Sequence, residues 1–103
     1  MALPESSTVI TLSAPATAIK DVAFDISYTI TNPAPGAANV LTTVPPSGCS
    51  TDPDPWTTTL TSLTGTKTLT FSTAGRWILI INSTPGEPAA VKHKAIKQYV
   101  NVE

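Results

Sequence analysis

Residues 22–31 read Val-Ala-Phe-Asp-Ile-Ser-Tyr-Thr-Ile-Thr, and no other stretch constrains the fold as much. In an extended chain, successive side chains point to opposite sides. Val22, Phe24, Ile26, Tyr28 and Ile30 therefore share one side, while Ala23, Asp25, Ser27, Thr29 and Thr31 share the other. A strand with one apolar side is not stable alone, and the side must be covered by a second layer. The alternation thus calls for a sheet packed on another sheet.

The flanking sequence supplies further strands. Residues 8–13 read as a first strand that Ala14-Pro15 ends or kinks, because proline cannot donate to a ladder. Residues 16–21 turn the chain into the strand 22–31, which Asn32-Pro33-Ala34-Pro35-Gly36 stops with turn residues. Residues 39–44 form a weaker third strand. Residues 45–55, with Pro45, Pro46, Pro53 and Pro55, read as a rigid surface excursion. Residues 56–60 and 66–72 alternate again, the latter placing Leu69 and Phe71 on one face. After the turn Thr73-Ala74-Gly75 comes the most apolar strand, residues 76–82, with Trp77, Leu79 and Ile81 opposite Ile78 and Ile80. Such a continuous apolar run is expected in mid-sheet with both faces covered. Residues 89–102 are expected to close the domain as one long strand, or as two joined at a bulge.

Seven candidate strands separated by turn signals predict an all-β, antiparallel β-sandwich of about seven strands. A small closed barrel would show longer and more even hairpins. With 103 residues there is room for one core. Residues 1–7 are expected as a flexible N-terminal arm and residues 8–103 as a single sandwich domain.

Composition narrows the function classes. The formal net charge is -1, so no field of one sign recruits nucleic acid or an anionic membrane. Hydrophobic residues make up 41% of the chain in regular runs, which argues against disorder. No apolar run approaches the roughly 20 residues that span a bilayer. Cys49 is the only cysteine, which rules out an internal disulfide. Met1-Ala-Leu-Pro-Glu-Ser-Ser lacks the basic residues and apolar run of a signal peptide, so synthesis in a reducing cytoplasm is expected.

The run of residues 8–31, Thr-Val-Ile-Thr-Leu-Ser-Ala-Pro followed by a short turn and the long alternating strand, resembles the opening of bacterial and phage immunoglobulin-like domains. Residues 68–82, a strand, a glycine turn and an aromatic-led strand, are similar to a second landmark of that family. Residues 99–102 are similar to its closing strand. The resemblance covers nearly the whole chain and implies an immunoglobulin-like sandwich. The Cys…Trp…Cys signature of antibody domains is absent, as are the aspartate-rich loops of calcium-binding, cadherin-like relatives. A small chain of this kind looks like a phage structural protein, which implies attachment to a virion, on capsid or tail.

Residues able to carry chemistry are few. His93 and Cys49 are the only residues of their types, and His93 between Lys92 and Lys94 reads as surface imidazole rather than half of a catalytic pair. Asp52 and Asp54 sit among prolines that limit their convergence on a cation, so they read as solvated loop charges. The glycines are isolated turn residues rather than a phosphate loop. Asn82-Ser83-Thr84 matches a glycosylation pattern, read as a chance match without secretion. No catalysis, cofactor or metal is expected.

Two features suggest binding. Lys92, Lys94 and Lys97 form the one charge cluster, read first as protection of an edge strand and second as a docking site for an acidic capsid surface. A bulge near Ala95-Ile96 would bring Lys97 to the face of the other two. Trp56 either plugs one end of the sandwich or stands exposed as a recognition anchor. The expected partners are the major capsid or tail proteins of a virion. The alternative is a module binding carbohydrate or host cell-surface glycans through Trp56. Nucleic acid and membrane are not expected as partners.

Overall fold

A computed structural model describes residues 3–46 and 56–103, of Trp56 the backbone alone. The strands are β1 (Val9–Ser13), β2 (Thr17–Ala18), β3 (Phe24–Thr31), β4 (Ala38–Val44), β5 (Trp56–Thr59), β6 (Thr64–Leu69), β7 (Gly75–Thr84) and β8 (Lys94–Val102). No described residue is helical. The strands form a three-stranded sheet ordered β1-β3-β6 and a five-stranded sheet ordered β2-β8-β7-β4-β5. Every pairing is antiparallel except that of β2 with β8, which is parallel. The expected antiparallel arrangement of about seven strands therefore becomes eight strands, with the larger sheet mixed.

The alternation of β3 appears directly in its burial. Ile26, Tyr28 and Ile30 are buried while Asp25, Ser27, Thr29 and Thr31 are exposed. From the other sheet, Leu41, Trp77, Leu79, Ile81, Val100 and Val102 face inward and join them in one core. The two apolar faces cover each other, which is the arrangement of a β-sandwich.

Val22 does not belong to the central strand, contrary to its pattern. The Val22 N–H donates to the Ile19 carbonyl at 3.1 Å, Asp21 takes a φ of 65°, and the strand begins only at Phe24. This turn leaves Val22 and Ile19 each more than half exposed.

Between β1 and β2 the chain crosses from one sheet to the other. Pro15 sits in this crossing, where no ladder donor is needed. The Gln98 side-chain amide donates to the Ala14 carbonyl at 3.0 Å, and the Asn101 N–H donates to the Ala16 carbonyl at 2.9 Å. The next bonds, Glu103 N–H to the Ala18 carbonyl and Lys20 N–H to the Glu103 carbonyl, both 2.8 Å, tie β2 to the end of β8. Sequence alternation could not reveal β2, since two residues carry no period.

The closing segment also differs from expectation. Residues 89–93 lie outside the strand, which starts at Lys94 and runs in unbroken register from Ser83↔Lys94 to Gly75↔Val102. There is no bulge. At the N-terminus, Ser7 accepts a 2.7 Å bond from the Asn32 side chain, and the buried Thr8 hydroxyl donates to the Asn32 carbonyl at 2.9 Å.

Candidate functional site

A two-layer sandwich presents two outer faces, and here they differ in chemistry. On the three-stranded sheet the outward positions form rows across the strands, Val9–Thr31, Thr11–Thr29–Thr64, Ser13–Ser27–Thr66 and Asp25–Thr68, with Val9 54% exposed. Their hydroxyls bond locally. Thr68 donates to the Asp25 carboxylate at 2.6 Å, and the Thr64 hydroxyl donates to the Tyr28 carbonyl at 3.2 Å. Apart from Val9 this is a polar, solvated face.

The outward positions of the five-stranded sheet form the rows Arg76–Asn101–Thr17, Val44–Ile78–Tyr99, Thr57–Thr42–Ile80–Lys97 and Thr59–Val40–Asn82–Ala95, and the alternation of β8 carries Glu103 to the same side. Val40, Val44, Ile78 and Ile80 are half-buried by their neighbours in the sheet, and Tyr99 is 48% exposed. The Arg76 guanidinium lies 4.7 Å over the Tyr99 ring. A cation over an exposed ring contributes about 0.5–1 kcal/mol. β7 does lie in mid-sheet, as its apolar run implies. Its outer side, however, is not covered by any described element, so Ile78 and Ile80 look outward between long side chains.

The predicted binding residues do not form one cluster. Lys92, in the loop before β8, is pinned to the N-terminal segment: its N–H donates to the Pro4 carbonyl at 2.9 Å and its ammonium to Glu5 at 3.1 Å. Both side chains are well exposed, so this ion pair contributes at most about 1 kcal/mol. Lys94 starts β8 opposite Ser83, and Lys97 lies opposite Ile80. Without a bulge the two point to opposite faces; Lys97 alone joins the outer face. Since β2 pairs only with Asn101 and Val102, both lysines lie on the free-edge part of β8, where lysine discourages pairing with another sheet.

Trp56 opens β5, an edge strand that pairs with β4 through Trp56↔Thr43. Its side chain, together with Cys49, Asp52 and Asp54, lies outside the described residues. His93 is exposed between Lys92 and Lys94. Among the described residues no three of His, Cys, Asp and Glu are grouped for a metal. Tyr28 points inward as its alternation requires, and its hydroxyl donates to the Ser62 carbonyl at 3.1 Å.

The Arg76–Tyr99 pair escaped the sequence reading. These residues occupy diagonal positions of neighbouring strands, and the long connection between β7 and β8 hides their register. No protein-family model matches the chain, and no curated protein matches its sequence.

Proposed function

We propose that the chain is an immunoglobulin-like β-sandwich that acts without catalysis, as a structural protein decorating the capsid or tail of a virion through protein–protein contacts. The observation that carries this reading is the strand order. With β2 counted as a continuation of β1, the first, second and fifth strands of an immunoglobulin-like core correspond to β1-β3-β6. The third, sixth and seventh correspond to β4, β7 and β8, and β5 is an added edge strand beside the third. The virion assignment rests on the resemblance of residues 8–31, 68–82 and 99–102 to phage domains of this type.

Attachment by such a module works through surface complementarity, multiplied by avidity where many copies meet a symmetric particle. The described aromatic rings give a glycan platform little support, because Tyr28 is buried and Tyr99 is capped by Arg76. The test is sedimentation of a native lysate from the source, with fractions probed for this chain. Co-sedimentation with a megadalton particle, at a fixed ratio to its major shell protein, supports the reading. Recovery solely as a free small domain overturns it.

A further inference from the structure

We infer that residues 3–5 form a releasable strap, which closes over the apolar flank of the loop 85–93 and opens while the sandwich stays folded. The inference goes beyond the virion reading and does not depend on it.

The strap is held by few contacts, all of them local. Residues 3–5 belong to no strand, and all three are exposed. Among the described residues their hydrogen bonds go to one residue, Lys92, whose N–H donates to the Pro4 carbonyl at 2.9 Å and whose ammonium donates to the Glu5 carboxylate at 3.1 Å. Leu3 adds an apolar contact: it lines a groove with Pro85, Ala89 and Val91, yet stays 41% exposed. An exposed ion pair is weak and is screened by salt. Leu3, partly covered, gains only part of the value of burial. Against these contacts stands the backbone freedom lost when three residues are fixed. The balance is small, which puts the strap among the segments that open locally, far below the stability of the core strands.

The ground on both sides of the strap is firm. The Ser6 hydroxyl donates to the Thr8 hydroxyl oxygen at 2.7 Å, and the Thr8 N–H donates back to the Ser6 hydroxyl oxygen at 3.0 Å. Thr8 is 2% exposed and bonded to the Asn32 carbonyl, while Ser7 accepts from the Asn32 side chain. The hinge therefore falls at Ser6. The loop keeps ties of its own, since the Gly86 N–H donates to the Pro35 carbonyl at 3.1 Å and Lys94 opens β8 opposite Ser83. Breaking the contacts at Lys92 thus frees three residues and leaves both anchors in place. In the open state Pro85, Ala89, Val91 and the Lys92 main chain become a surface that the closed state withholds. Because one of the contacts is an exposed ion pair, ionic strength biases the two populations.

The test is amide hydrogen exchange of the full chain, read by nuclear magnetic resonance at residue 92, with the mid-sheet amides of Leu79 and Ile81 reporting global unfolding. Protection is measured against the rate of an unstructured chain of the same sequence. The expected result for the unaltered chain at low salt is at least tenfold protection at residue 92, with exchange there at least a hundredfold faster than at Leu79 and Ile81. Added salt should lower the protection at residue 92 and leave the two reporters unchanged. Leu3→Ser and Glu5→Lys should each remove most of that protection without moving the urea midpoint, and the reversed pair E5K/K92E should restore it. Exchange at residue 92 as slow as at Leu79 and Ile81 overturns the inference, because the segment then opens only with the whole domain. So does an unprotected residue 92 in the unaltered chain, or equal protection in all variants, because the strap then does not close on Lys92. Loss in E5K that E5K/K92E fails to restore overturns the ionic part of the latch.

Discussion

Phe71 lies flat against Trp77, with ring centroids 3.8 Å apart and planes 3° from parallel. Phe24 meets Phe71 edge-on at 5.5 Å, and the Trp77 indole N–H donates to the Thr73 carbonyl at 2.9 Å. Each sheet supplies one outer ring of the trio, Phe24 from β3 and Trp77 from β7, so Phe71 joins the layers at this end. Removing Phe71 leaves a cavity between two rings that cannot both collapse into it. Phe71→Ala is expected to destabilise the fold by about 3–5 kcal/mol in urea unfolding followed by circular dichroism. A loss under about 1 kcal/mol would show that the end of the sandwich relaxes freely.

Gly75 is required by both backbone and space. Its φ is 134°, and a Cβ there would stand 2.6 Å from Cγ of Pro46. Gly75→Ala is expected to cost about 2 kcal/mol or more. Adding Pro46→Ala removes the ring contact but not the backbone strain, so the double variant should recover only part of the loss. Full recovery would mean that crowding alone matters.

The inward alternation of β3 and the burial of Trp77, Leu79 and Ile81 were legible because a period of two over several residues has one physical reading. Val22 continues that period and still lies outside the sheet, since the turn at residues 19–22 acts on the backbone and leaves no trace in side-chain polarity. β2 is too short to have a period. Lys97 was assigned to the wrong company by an assumed bulge, and a slip of one residue exchanges faces. The outer face of the large sheet was the least visible feature. A run such as Arg76-Trp77-Ile78-Leu79-Ile80-Ile81 reads the same whether the outer isoleucines are covered by a layer or left to neighbouring long side chains.

The Tyr28 ring covers Gly65 across the β3–β6 ladder, where an added Cβ would meet the Tyr28 hydroxyl oxygen at 3.3 Å. Tyr28→Phe gives up the bond to the Ser62 carbonyl and is expected to cost about 0.5–1.5 kcal/mol. It also removes the atom nearest the new methyl group, so Gly65→Ala should be less harmful when combined with Tyr28→Phe than in the native chain. A double-mutant cycle measures this coupling, and strictly additive effects would refute the contact.

Asn39 faces the interior of β4 opposite Ser83 and is 8% exposed. Its side-chain oxygen has no hydrogen-bond partner among the described residues. A buried acceptor without a partner forfeits its hydration and receives nothing in return, a cost of about 1–3 kcal/mol. Valine is similar in size, carries no polar atom and suits an extended backbone. Asn39→Val is therefore expected to raise stability by about 1 kcal/mol, read as a higher urea midpoint with an unchanged slope. Asn39→Asp places a charge at the same buried position and should lower stability at neutral pH. If valine instead destabilises while aspartate is tolerated, the oxygen is hydrated in solution and the interior at this position is wet.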